Sequence, residues 1–185
     1  MKHKLALLYS WFVRIVTAAL PDAPVCMRFR GWCYGWLMLR RSQDFQVSGS
    51  ARLIGLESIS VGRHVYIGPG AILLASQVIE LDDEVMLAPY TVLADGNHTL
   101  RDGSYRYGPR ETAPLTIGRG TWIAANCTVM AGVSIGQGVL VAANSAVTRD
   151  VPDFCVVGGT PARVLRTATV VESATSEGMR SRDAA

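Results

Sequence analysis

From Ile59 onward, aliphatic residues return every six positions. Val61, Ile67 and Leu73 form one run and Leu81, Leu87 and Leu93 a second. Ile117, Ile123, Val129, Ile135, Val141 and Val147 form a third without a gap. Two residues before each stands another apolar or small residue: Ile59, Val65, Ala71, Ile79, Val85, Thr91, Leu115, Thr121, Cys127, Val133, Val139 and Ser145. An amphipathic helix repeats at about 3.6 residues and a half-buried strand at about two. A strict six fits neither. It fits a short strand with two inward side chains and then a corner. Three such units close a triangular coil whose strands pair with the coils above and below. Gly or Ala follows many of the aliphatic residues, as at Gly62, Gly68, Ala88, Gly118, Ala124, Gly136 and Ala142, where a small side chain relieves crowding. The fold class is therefore all-β, a parallel β-helix over residues 45–166, with Val47 and Leu53 opening the pattern in poorer register.

Two departures interrupt the period. Leu73 and Leu81 are eight residues apart, a bulge around "SQVIE", and Leu93 and Ile117 are 24 apart. The longer stretch, "DGNHTLRDGSYRYGPRETAP", would turn Thr99, Tyr105, Arg106 and Glu111 inward and cannot supply core. Residues 96–114 are expected as an arm extruded from one corner. Long interruptions in a compact repeat are usually functional, and His98 stands at the start of this one.

The 185 residues suit one domain with a peripheral element. Net charge is +3, unevenly spread: Lys2, Lys4, Arg14, Arg28, Arg30, Arg40 and Arg41 precede Asp44 against Asp22 alone. A basic leading segment suits an anionic surface or partner; no nucleic acid is expected. Cys26, Cys33, Cys127 and Cys155 show no CxxC and no paired spacing, which favours a reducing cytoplasm, and no metal-ligand cluster stands out. Leu5–Leu20, "LALLYSWFVRIVTAAL", falls short of the ~20 apolar residues that cross a bilayer, and Arg14 interrupts it. No convincing cleavage site follows, so a helix ending near Pro21 is expected. Residues 1–44 form a helical cap with two open roles. One is to cover the edge of the first coil. The other is a peripheral contact of residues 1–41 with the inner membrane, through Trp11, Phe12, Trp32, Trp36 and the arginines. Residues 167–185, small and polar, are expected to be a flexible tail.

Hexads such as "IGRGTW" and "IAANCT", the ending "VAANSAVTRDVPDFCVVGGTPARVLR", and "GNH" directly after the Leu93 hexad resemble the hexapeptide-repeat acyltransferases. The branch is that of galactoside and maltose acetyltransferases and of colanic-acid and O-antigen type polysaccharide O-acetyltransferases. The resemblance implies a left-handed β-helix, acetyl-CoA as co-substrate without a metal, and a homotrimer with each site between two protomers. The acceptor it implies is a saccharide or sugar nucleotide. His98 falls at the family's catalytic-base position, and an alcohol acceptor needs a base whose ordinary range lies near neutrality, as that of imidazole does; a solvated loop histidine is the bland alternative. Asp95 and Asn97 either orient the ring or hold the acceptor, or are turn formers. Tyr90 occupies a corner where relatives often carry Asn. Trp122, outward between inward Thr121 and Ile123, meets the acceptor or a neighbouring subunit. Ala125 and Ala143, one coil apart, leave backbone amides open to pantetheine; Thr148, Arg149, Arg163 and Arg166 meet the coenzyme phosphates or are solvated caps of the last coil.

Competing chemistries fit less well. A β-helical carbonic anhydrase needs three histidines converging on zinc, and the chain has only His3, His64 and His98. Cys127 and Ser145 occupy inward positions, against a covalent nucleophile. The function expected is acetyl-CoA-dependent O-acetylation of a saccharide in surface polysaccharide biosynthesis, by direct attack in a ternary complex. N-acetylation of an amino sugar nucleotide and a non-enzymatic binding scaffold are the alternatives.

Overall fold

The computed structural model describes residues 2–167. Helices α1 (Lys2–Val16) and α2 (Pro24–Tyr34) precede a β-solenoid of about six turns. Its strands stack into three parallel sheets, one per face of a triangular prism. The first face carries Gln46–Val47, Tyr66–Ile67, Met86–Leu87, Trp122–Ile123, Leu140–Val141 and Cys155–Gly159. The second carries Arg52–Ile54, Ile72–Leu74, Val92–Ala94, Thr128–Val129 and Ala146–Val147. The third carries Ile59–Val61, Ile79–Leu81, Leu115–Ile117 and Ser134–Ile135. A final strand, Ala162–Thr167, turns back antiparallel on the first face, so Thr167 still belongs to the sheet; residues 168–185 of the expected tail lie outside the described residues.

Both columns of the six-residue pattern point inward, with every member 3% exposed or less. Val47 and Leu53 belong to the same core, so the pattern begins two strands before its register is regular. Stacking the coils brings backbones into contact. A Cβ added at Gly118 would lie 2.6 Å from the Gly136 carbonyl carbon in the next coil. The chain reverses three residues after the aliphatic position, where φ is positive at Glu84, Tyr90, Gly120, Asn126 and Asn144. Glycine is thus needed at Gly118 for space, and at Gly120 only for its dihedral, since nothing lies within 4 Å of a Cβ there.

The helices cover the open end of the prism. Val13 of α1 and Tyr34 of α2 join the core around Leu53 and Leu56, and Phe45 closes over Gly31. Arg30, 1% exposed, ties both helices to the first coil. It donates to Val47 O at 2.6 Å, Leu20 O at 3.1 Å, Thr17 Oγ1 at 3.3 Å and Asp22 Oδ1 at 3.2 Å. Asp22 in turn accepts from Ser48 Oγ and Gly49 N. Burial works against the Asp22 carboxylate, but these hydrogen bonds and the Arg30 guanidinium prevail and lower its pKa.

Gly120→Ala should cost about 1 kcal/mol through its left-handed dihedral, whereas Gly118→Ala should cost about 3 kcal/mol because backbone must move; denaturant unfolding measures both. Arg30→Met strands several buried acceptors and should cost about 3 kcal/mol. Arg28→Met, which breaks only an exposed pair with Asp44, should cost under ~1 kcal/mol. Because the folded pKa of Asp22 is depressed, its stabilisation is present above the ordinary carboxylate pKa and disappears as pH falls through the folded value. The difference in Tm between wild type and Asp22→Asn should therefore shrink in acid.

Candidate active site

The long interruption leaves the corner between the second and third faces. Gly96–His98 runs out and Arg110–Thr112 runs back as an antiparallel ribbon, with His98 paired to Arg110 and Asn97 to Glu111. Thr99 N donates to Pro109 O at 3.2 Å, and Arg101 and Ser104 exchange backbone hydrogen bonds across Asp102 and Gly103, both at positive φ. That tip is an Asp-Gly hairpin turn, a signal present in the sequence and passed over there. On either side of it Leu100, Tyr105 and Tyr107 stand exposed, with the Arg106 guanidinium 5.8 Å from the Tyr107 ring.

The root of the arm is fixed by Asp95, and here the structure corrects the expectation. Its carboxylate accepts backbone N–H bonds from Ser76 at 2.7 and 2.8 Å and from Gln77 at 2.6 Å; its own carbonyl accepts from Ala113 N at 2.9 Å. With 0% exposure it offers no oxygen to an acceptor. It holds the "SQVIE" bulge to the place where the arm leaves and returns. Burying a carboxylate is costly unless it is well hydrogen-bonded, which these two backbone donors achieve with three contacts.

His98 is exposed, and among the described residues neither ring nitrogen makes a hydrogen bond. His3 and His64 are engaged elsewhere, with Glu57 at 2.6 Å and Asp44 at 2.9 Å. Sequence reasoning did not single out Arg110. It lies directly across the ribbon from His98, with its guanidinium over Gly96, where an added Cβ would be 2.7 Å from Nη2. Only the strand register makes it a neighbour of the imidazole.

The other expected site residues fall into separate groups. Tyr90, Ala125 and Ala143 line the corner between the first and second faces in successive coils. Asn126 N donates to Pro89 O and Asn144 N to Ala125 O, both at 3.0 Å. The Tyr90 ring covers Gly70 and is otherwise exposed. Thr148 and Arg149 lie on the His98 corner, two coils further along. Trp122 projects from the first face between Met86 and Leu140, 41% exposed. Arg149 and Arg163 line one cavity of about 140 Å³ at the end of the prism; Arg166, paired with Val156, is not among its walls. Within one chain the second face separates His98 from the alanine corner. Cys127 and Ser145 are buried: the thiol donates to Ala142 O at 3.0 Å, with its pKa pushed up by burial, and the hydroxyl donates to the same carbonyl at 2.6 Å. Neither is placed as a nucleophile.

Residues 114–149 match the family model for bacterial transferase hexapeptide (six repeats). The chain is 30% identical to the galactoside O-acetyltransferase of Escherichia coli, over 59% of this chain and 54% of that protein. It is 36% identical to nodulation protein L of Rhizobium meliloti, over 58% of each. The chain thus spans little more than half the length of these relatives. A hexapeptide-repeat acetyltransferase of Vibrio cholerae, solved with acetyl coenzyme A, superimposes with a TM-score of 0.79 at 26% identity, covering 90% of this chain and 89% of that one. With the six-residue stacking and the ribbon that breaks it, these likenesses show a hexapeptide-repeat β-solenoid similar to those of known acetyltransferases.

Proposed function

We propose that the protein transfers the acetyl group of acetyl-CoA to a saccharide hydroxyl in the biosynthesis of a surface polysaccharide such as a capsule, exopolysaccharide or O-antigen. The observation that carries the reading is the placement of His98, an exposed imidazole with no hydrogen-bond partner among the described residues, held on a ribbon whose root is pinned by a buried carboxylate. Support comes also from the match to the family model and from the likeness to a structure solved with acetyl coenzyme A.

The chemistry follows from that placement. A neutral imidazole accepts the proton of the acceptor hydroxyl as its oxygen attacks the thioester carbon. The C–S bond of the resulting tetrahedral intermediate then breaks, and the imidazolium returns the proton to the departing thiolate, leaving an O-acetyl ester and free CoA. Arg110, across the ribbon, is a cationic donor beside this reaction. Asn97 and Trp122 contribute to the acceptor side, and Tyr90, on the alanine corner, to its outer edge.

Backbone groups at Ala125 and Ala143 run along the pantetheine, while Arg149 and Arg163, which share a cavity, receive its phosphates. Because His98 and the alanines occupy different corners of one prism, a site using both takes its corner from one copy and its histidine from the next. Three copies around an axis parallel to the prism satisfy this three times over, so the active form is a homotrimer.

His98→Ala should reduce CoA thiol release by roughly 10²–10⁴-fold with Tm unchanged, since the side chain is exposed and unbonded. Ala143→Trp should raise KM for acetyl-CoA and spare the fold. Mixing the two variants after subunit exchange should restore roughly a quarter of wild-type activity, the statistical share for a site built from two copies. No recovery would mean that each chain carries a whole site; near-normal turnover of His98→Ala would remove the base. An acceptor panel with hydroxyl and amino sugars, read by mass spectrometry, identifies the atom acetylated.

A further inference from the structure

Capping the prism uses only part of the helical surface. Ala6 and Val13 of α1, and Thr17 just after it, face inward and are buried. On the opposite side Leu5, Leu8, Phe12, Ile15 and Val16 form a ridge at helical spacing, each more than half exposed. On α2 and the turn after it, Val25, Phe29, Trp32 and Trp36 repeat the arrangement. Phe29 and Trp32 stack at 6.1 Å, Trp32 and Trp36 meet edge-on at 5.5 Å, and the Arg41 guanidinium lies 4.2 Å from the Trp36 ring. Twelve of the 21 exposed large apolar side chains among the described residues lie between Leu5 and Leu39. A helix that is apolar all round has a second surface to cover.

The charge around this surface indicates what covers it. The two acids of the segment are spent, Asp22 on Arg30, Ser48 and Gly49, and Asp44 on Arg28 and His64. Among the described residues Lys4, Arg14, Arg41 and Arg52 make no ion pair. Two of them, Arg14 and Arg52, line a cleft of about 160 Å³ between α1 and the second face, together with Leu7, Trp11, Tyr34 and Ile54 among others. Two arginines in a cleft otherwise lined mainly by apolar side chains complement a phosphate that carries a hydrocarbon chain. Indole rings with arginines beside them suit the boundary between headgroups and acyl chains.

We propose that the helical cap lies on an anionic membrane surface, with the α1 and α2 ridges in the interfacial layer and a lipid phosphate in the Arg14–Arg52 cleft. This deepens the lipid contact expected for residues 1–41 by naming a headgroup site. No helix of the described residues is long and apolar enough to cross a membrane, so the contact is with one leaflet.

The test is sedimentation of the full chain with vesicles, without acetyl-CoA or acceptor, so its outcome is independent of the proposed activity. The protein should pellet with mixed phosphatidylcholine–phosphatidylglycerol vesicles and stay in solution with phosphatidylcholine alone. Arg14→Gln with Arg52→Gln should weaken binding roughly tenfold or more. Phe12→Ser with Trp32→Ser should weaken it by more than about tenfold. Circular dichroism and light scattering establish that each variant keeps its fold and oligomeric mass. Failure of the wild type to pellet with mixed vesicles overturns the proposal, as does equal binding to both vesicle types. Unchanged binding by the arginine variant removes the headgroup site. Loss of oligomeric mass in the Phe12/Trp32 variant would make this face a contact between copies and also overturn it.

Discussion

Successive coils of this chain sit one strand spacing apart, about 4.8 Å, and almost everything else follows from the closeness of that stacking. Each residue meets its counterparts in the coils above and below, so every inward position continues a column and every corner continues an edge. Where the column must be filled, the side chains are mostly aliphatic, with Thr91, Thr121, Cys127 and Ser145 admitted because each finds a backbone carbonyl, at Ala88, Gly136 or Ala142. Where backbones nearly touch, as at Gly118, no Cβ fits. Residues 18 apart in the uninterrupted coils become axial neighbours, which is how Ala125 and Ala143 come to share an edge.

The same rigidity makes the interruptions informative. A solenoid core accepts a polar arm only by extruding it, and an extruded arm is useful for chemistry only if its root is fixed. Asp95 fixes it by joining two irregularities nearly a full coil apart, the bulge at Ser76–Gln77 and the departure of the ribbon at Gly96. His98 is three residues beyond this buried carboxylate, and the antiparallel pairing with Arg110 begins at the same point. The imidazole thus inherits its position from the core although it is itself exposed. An aspartate three residues before a histidine suggests a partner for the ring. Alternation along the chain sends the two side chains to different surroundings, one to the scaffold and one to solvent.

What could be read from the residues depended on whether the physics was local. The two core columns, the extruded arm and the inward Cys127 and Ser145 were legible because one period governs them all. The role of Asp95 was not, since it rests on a meeting of residues 76, 77 and 95 that only the stacking creates. Arg110 was hidden for a similar reason: its proximity to His98 is a matter of ribbon register. The Asp102-Gly103 turn was legible in principle, being a two-residue hairpin signal. The second helix was obscured by glycines at positions 31 and 35 and by its aromatic density, which speaks to surface chemistry more than to helical propensity. The division of the expected site among separate corners could not be seen until each residue had been assigned a face.

That division also bears on the two ends of the molecule. A prism with a complete site on one edge would gain nothing chemically from association, whereas the proposed site, with His98 and the proposed coenzyme corner on different edges, would require a neighbour. Copies arranged side by side about an axis along the prism would all point the same way. Their helical caps would then lie at one end of the assembly and their arginine-bearing hairpins at the other. Capping a single chain consumes Ala6, Val13, Met27 and Tyr34 and leaves the outer ridges of both helices untouched. Parallel association would bring three such ridges to the same end, where weak contacts with one surface add through effective concentration. A modest lipid affinity per chain would then suffice, because the parallel association proposed to complete the site would also multiply the proposed membrane contact.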